Sequence, residues 1–477
     1  METLLKEINF VVSGTFLPAV LFISGAYFLI KIGRFVFSPF SLRAVFFSEK
    51  REKNIAYQNS CKSKKDCCKS QVQSPFSSLC LALAGTLGVG NISGVAAAIT
   101  VGGPGAVFWI WVSAIASSVL KFSETLLAVC YRKRNTDGGF SGGAHLYIKN
   151  GLKAPRLAAV FLITCIFTSL TMGSITQTRA AADGVLLSLK IHPVICGAVF
   201  FITVLFLSLG GGKRISGFTV RLIPPLCLAY VFLSLSVIFI CRENIFYVTS
   251  VIFSEAFTPR AGVSGALGFL SSEAVRYGVA RGIMSNEAGC GTAPFAHAGA
   301  ETDSAVRQGV FGVIEVLTDT LILCTLTAYV VLLSGVSYGG GNATETAITA
   351  FSAVLGDGAR AFLGVSIFLF ALGSLAGWSF YGQESVKALG GGRKALFVYG
   401  VTLAVASFVG CLMSEGAVWE LADLSISLMA VINVSAVLLL SSTVITVTRE
   451  FYFSARGRRA VKKKSPSDGS IFIKPEN

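Results

Sequence analysis

Gly85-Thr86-Leu87-Gly88-Val89-Gly90-Asn91 lies in the middle of an otherwise apolar segment, about 77–100, and its reading decides the fold. In hydrocarbon an unpaired backbone N–H or C=O costs several kcal/mol, so a helix unwinds there only where something else satisfies its peptide groups. Glycines at 88 and 90 permit unusual dihedrals and close approach by a ligand. The freed N–H groups, with the positive end of the following half-helix, suit a carboxylate. The freed carbonyls, with the Asn91 side chain, suit a hard cation such as sodium. A stripe of small residues can also be a helix-packing face. A second interruption argues against that: Ser285-Asn286-Glu287-Ala288-Gly289-Cys290-Gly291, within the segment about 262–298.

Working outward, the 477 residues are 53% hydrophobic and 14% charged, with a mean hydropathy of +0.70. Soluble domains carry about 25% charged residues, so most of this surface is expected to face lipid. A crossing helix needs roughly 20 apolar residues. Eleven segments qualify: about 8–32, 77–100, 105–131, 157–187, 193–209, 216–241, 262–298, 308–335, 361–388, 395–413 and 417–448, with room for a short interfacial helix in 242–262. The first has no small-residue cleavage site behind it and reads as a retained helix. Setting it aside leaves two sets of five, each beginning with an interrupted helix. An odd number of spans per set places the sets in opposite orientation, the arrangement of an inverted-repeat transporter whose site lies between paired broken helices.

Lys and Arg placement orients the chain. With the N-terminus outside, the loop 31–75 falls inside and carries ten basic residues, and the tail from Arg449 carries eight. The net charge of +15 thus sits on the cytoplasmic face against anionic lipid headgroups, not on nucleic acid. The expected organisation is an N-terminal helix and basic loop over 1–76, a ten-helix core over 77–448 and a basic cytoplasmic tail over 449–477. The expected location is a bacterial inner membrane, multi-pass, with the C-terminus cytoplasmic. Most cysteines are scattered singly in apolar segments and do not form a secreted disulfide framework. Cys61, Cys67 and Cys68, among lysines, read as a solvated linker with reduced thiols. No Walker loop, nucleophile elbow or metalloprotease motif is found, and no enzyme is expected.

Other intramembrane polar residues are candidates for function or for helix packing. Glu287 at membrane depth is a functional hypothesis by default; it either meets a substrate ammonium or sodium, or pairs with Arg281 or Arg276. Ser285 and Asn286 beside it offer neutral partners. Gln177 lies in the polar run Ser174–Thr178. Ser374 and Trp378 are four apart and share a helix face, where an indole beside a hydroxyl walls a small pocket. Lys121 with Glu124, Arg179 with Asp183, and Glu315 with Asp319 come at helical spacing and read as self-neutralising pairs or end-of-helix residues. His145, His192 and His297 show no ligand spacing and read as structural.

The motifs at both interruptions, with Gly102-Gly103-Pro104-Gly105-Ala106-Val107-Phe108-Trp109 and Gly377-Trp378-Ser379-Phe380-Tyr381-Gly382, resemble the alanine or glycine:cation symporter family over nearly the whole chain. The resemblance implies an all-α, leucine-transporter-like fold: a five-plus-five inverted repeat preceded by one extra helix. It implies sodium-coupled import of small neutral amino acids such as alanine, glycine, and sometimes D-alanine or serine, with sodium as coupling ion and no cofactor. By that resemblance Thr86, Gly90, Gln177, Met284, Ser285, Asn286, Glu287, Ser374 and Trp378 surround the substrate, whose carboxylate meets N–H groups near Gly88 and Gly90. By wider analogy with the fold, sodium takes carbonyls at Ala84, Thr86 and Leu87, the Asn91 side chain and the Ser374 hydroxyl. The chain departs from the family where Gly373-Ser374 replaces Ser-Thr, removing one possible sodium ligand, and where Met284 replaces Phe, a softer side chain that broadens tolerance. Proton coupling through Glu287 is the rival within transport, and a non-transporting sensor the rival outside it. The preferred amino acid, stoichiometry and oligomeric state stay open.

Overall fold

The computed structural model describes residues 12, 16–38, 73–135, 139–258, 273–302, 304–337 and 342–464. The Cys61–Cys68 stretch, the start of the first expected span and the end of the tail lie outside the described residues. Described helices are α1 (Leu17–Val36), α2 (Pro75–Thr86), α3 (Ser93–Gly102), α4 (Ala106–Cys130), α5 (Pro155–Leu170), α6 (Thr176–Leu189), α7 (Pro193–Ile240) and α8 (Ile245–Glu255). They continue as α9 (Glu273–Asn286), α10 (Ala293–Ala298), α11 (Ala305–Val316), α12 (Thr325–Leu333), α13 (Ala343–Leu355), α14 (Asp357–Ala388), α15 (Arg393–Gly410), α16 (Glu415–Leu439) and α17 (Ser441–Lys464). The architecture is a bundle of membrane-length helices; the one sheet among the described residues is a two-residue antiparallel pair, Lys133–Arg134 with Phe140–Ser141.

Eight described helices are long and apolar enough to cross a membrane, nine when the bent pair over 75–102 is one span. Two further expected spans are present in other forms. The segments 193–209 and 216–241 merge into α7, a 48-residue helix kinked at Gly211. The segment 262–298 ends in the short helices α9 and α10. Differences fall at the ends: the last expected span stops at Leu439, and Ser441–Lys464 forms a helix of its own where a tail was expected. Helix α13 was not anticipated, its 13 residues being too few to span, whereas α8 occupies the place left for an interfacial helix.

Both interruptions are broken helices. The chain bends by 65° between α2 and the segment 89–102. Ser74 caps the start of α2, accepting from Ser77 N at 3.0 Å with Pro75 in the first turn, so the helix begins firmly and its failure at Thr86 is local. At the second break, α9 ends at Asn286 and Glu287 turns left-handed at φ 51°, with Gly289 at φ 86° and Gly291 at φ 78°. A non-glycine residue at positive φ is held there by its surroundings at a cost of about 1–3 kcal/mol.

Candidate functional site

At the first break Gly88 is extended and fully enclosed. A β-carbon there would lie 2.4 Å from both Gln177 Oε1 and Ser374 Oγ, so only glycine fits between them. Gln177, in the first turn of α6, reaches the break directly: its Oε1 accepts from Val89 N at 3.1 Å. Ser374, in the middle of α14, lies within 3.3 Å of the Gly85 carbonyl and 3.4 Å of the Leu87 carbonyl. Three elements thus converge on the unwound turn. The π-helical turn Thr171–Ile175 between α5 and α6 carries Gly173, against which the Trp378 indole packs; a β-carbon at 173 would sit 2.3 Å from its ring. Trp378 and Tyr381 are fully buried, and Trp378 Nε1 and Tyr381 Oη have no hydrogen-bond partner among the described residues. Their rings lie 5.6 Å apart, and Tyr381 stacks on Phe295 of α10 at 6.2 Å. Phe295 lines a cavity of about 1040 Å³ whose wall also carries Lys133, Lys149, Lys213 and Lys387.

Asn91 ties the two breaks together. Its Oδ1 accepts from Gly88 N at 3.2 Å, holding the unwound turn in shape. Its Nδ2 lies 3.1 Å from Ser285 Oγ on α9 and 2.7 Å from Asp319 Oδ1. Ser285 donates to the other Asp319 oxygen at 2.8 Å, as does Thr320 at 2.8 Å. Cys324 Sγ lies 3.2 Å from Ser285 Oγ, and Thr327 donates to the Asn91 carbonyl at 2.8 Å. Asp319 is fully buried in the π-helical segment Leu317–Cys324 between α11 and α12. Gly90 faces the same junction: a β-carbon on it would lie 3.9 Å from the Ser285 Cα.

Other expected residues are turned elsewhere. The Thr86 hydroxyl folds back toward the carbonyls of Ala82 and Leu83. Ala84 is buried where α14 crosses α2. Met284 is partly buried, with Arg281 against its sulfur. Asn286 serves the second break itself, donating to Gly282 O at 2.8 Å and accepting from Ala288 N at 3.0 Å. Glu287 accepts from Thr292 Oγ1 at 2.7 Å; among the described residues it pairs with neither Arg281, which lies 3.8 Å from Asp423, nor Arg276, which reaches Tyr277.

Of the two expected couples of opposite charge one is not formed, and Glu315 with Asp319, two acids, cannot neutralise each other. Arg179 and Asp183 do pair, at 2.5 Å. Lys121 instead reaches Glu315 at 3.1 Å, and Glu124 turns to the amides of Gly289 and Gly291. Glu315 and Asp319, four apart, serve different partners because the π-helical turn that begins at Leu317 rotates Asp319 toward Asn91. His297, read as structural, hydrogen-bonds Glu315 at 3.1 Å and Gln308 at 2.8 Å. Asp319 escapes a reading of the sequence as a site residue; a lone acid between threonines in an apolar span is its only signal there.

The chain matches the sodium:alanine symporter family model over residues 1–465. It is 38% identical to an uncharacterized transporter of Bacillus subtilis, over 80% of this chain and 81% of that one. It is 34% identical to a sodium/alanine symporter of Methanococcus maripaludis, over 79% of this chain and 84% of that one. Among solved structures, a manganese transporter variant of Eremococcus coleocola superposes with a TM-score of 0.49 at 15% identity, covering 77% of each chain. A family match along nearly the entire sequence, with relatives above 30% identity, places this chain in the sodium:alanine symporter family of amino-acid transporters.

Proposed function

We propose that this protein is a sodium-coupled importer of small neutral amino acids, working by alternating access through a five-plus-five core, with the N-terminus outside and the basic face cytoplasmic. The observation that carries the reading is the junction of the two broken helices on Asp319: one buried carboxylate gathers Asn91 from the first break and Ser285 from the second. The Asp319 carboxylate with the Ser285 and Thr320 hydroxyls suits a hard monovalent cation, while Asn91, whose nitrogen faces Asp319 and whose oxygen is on Gly88 N, ties the first break to that carboxylate. A second oxygen cage is offered by the Ser374 hydroxyl with the Gly85 and Leu87 carbonyls; the carbonyls of Ala84 and Thr86 lie on the same turn. The amino acid occupies the space bounded by Gly88, Gly90, Gln177, Met284, Ser285, Ser374 and Trp378. Its ammonium is assigned to unwound carbonyls rather than to Glu287, whose carboxylate is taken by Thr292. Its carboxylate is assigned to the junction, where the ion offsets its charge. The Trp378 and Tyr381 donors lead from this space to the cavity on the basic face, the expected route of release.

The driving force follows from charge movement: each sodium carried inward gains about 2.3 kcal/mol per 100 mV of membrane potential. Uptake of labelled alanine into proteoliposomes, with unlabelled amino acids as competitors, tests the reading. An inward sodium gradient is expected to stimulate uptake, and Asn91→Ala to abolish that stimulation. Uptake that persists without sodium and collapses with the pH gradient would transfer the coupling to protons. No uptake of any amino acid under either gradient would overturn the transporter reading.

A further inference from the structure

Breaking a helix in an apolar setting leaves two sets of stranded peptide groups: carbonyls at the end of the first half and N–H groups at the start of the second. At the second break a single neighbouring helix answers both. Lys121 of α4 donates from Nζ to the Asn286 carbonyl at 2.8 Å. Glu124, one turn further along α4, accepts from Gly291 N at 3.0 Å through Oε1 and from Gly289 N at 3.1 Å through Oε2. Cation and anion therefore each stand at the end of opposite sign, Lys121 at the carbonyl end of α9 and Glu124 at the N–H-rich approach to α10. Both side chains are fully buried.

Each is also locked from behind. Glu315 holds Lys121 at 3.1 Å, and its second oxygen lies 3.1 Å from His297 Nε2 of α10. Asn433 of α16 donates to Glu124 and, at 2.8 Å, to the Gly289 carbonyl, while its own oxygen accepts from the Tyr147 hydroxyl. Three elements outside the break thus fix the rotamers of the two α4 side chains. Neither Lys121 nor Glu124 lies among the residues assigned to the substrate. Both end on the turn that begins one residue after Ser285, the α9 contribution to the Asp319 junction.

We propose that Lys121 and Glu124 are positioning residues for transport: they hold the peptide path of 286–291 and through it set where Ser285 meets Asn91 and Asp319. The proposal deepens the transport reading above and rests on it. It differs from simple charge neutralisation in one respect, since neutralisation needs only that no buried charge is left alone.

The double variant Lys121→Met with Glu315→Gln separates the two. It removes Lys121 and Glu315 together and leaves Glu124 on its two amide donors and Glu287 on Thr292, yet nothing holds the Asn286 carbonyl. In the full-length protein it is expected to purify folded, with a melting temperature lowered by the unpaired Asn286 carbonyl, while the half-saturation for alanine rises about tenfold with little change in maximal rate. Hydrogen exchange of the purified chain gives a readout that does not depend on transport: amides 286–291 should exchange about tenfold faster in the double variant and in Glu124→Ala. Native half-saturation and native protection of 286–291 in the double variant would overturn the proposal. Should the wild-type protein carry no amino acid, the transport reading fails, and the exchange measurement still decides whether the α4 pair positions the break.

Discussion

At the scale of single residues, the site is a set of polar side chains that satisfy unwound backbone and one another. Asn91 does both, with its oxygen on Gly88 N and its nitrogen on Ser285 and Asp319. Its place at the break was legible because an amide beside a glycine-rich interruption has few other uses in hydrocarbon. Asp319 was not legible, because an acid between threonines in an apolar span gives no sign of the distant Asn91 and Ser285 that it meets. Asp319→Asn keeps the side-chain shape and removes the negative charge. It is expected to raise the sodium concentration for half-maximal uptake by about tenfold or more, as loss of a charged ligand should; an unchanged sodium dependence would detach the carboxylate from the ion.

At the scale of elements, the places where helices fail carry the architecture. The π-helical turns at Thr171–Ile175 and Leu317–Cys324 each redirect one face of a helix toward a break, which is a common use of such turns at functional sites. Neither turn was visible in the sequence, since one extra residue per turn leaves no mark on an apolar pattern. The kink at Gly211 is of another kind: φ 67° and ψ −174° is backbone that only glycine takes readily, and a β-carbon at this position would meet nothing within 4 Å. Gly211→Ala therefore costs dihedral strain alone, about 1–3 kcal/mol. A lowered melting temperature of the purified protein, with α7 still helical, is the expected result.

For the whole molecule, one broad cavity collects several basic side chains. The cavity of about 1040 Å³ carries Lys133, Lys149, Lys213 and Lys387, with Glu384 paired to Lys387 at 2.7 Å. His145, in the short helical turn Ala144–Leu146 between α4 and α5, shares that wall. Burial, followed by the charges of Lys133 and Lys149, pushes its pKa down to about 4. Since an unfolded histidine titrates at about 6.5, unfolding takes up a proton in the window between these values, and stability falls as the pH is lowered through it. His145→Gln is expected to flatten the dependence of melting temperature on pH between about 6.5 and 4; a slope identical to wild type would assign the acid sensitivity elsewhere.

Hydropathy and glycine placement along the chain already require a bundle of membrane-length helices, two of them broken, and locate both breaks. Those conclusions rest on hydropathy and glycine content, which act locally and are not altered by distant packing. Which buried charge meets which was decided only by the tertiary structure. Lys121 and Glu124 are three residues apart and look like partners, yet each finds a better one across a helix interface. A stranded peptide group in a medium without water competes for every charge within reach, and that competition is settled in three dimensions.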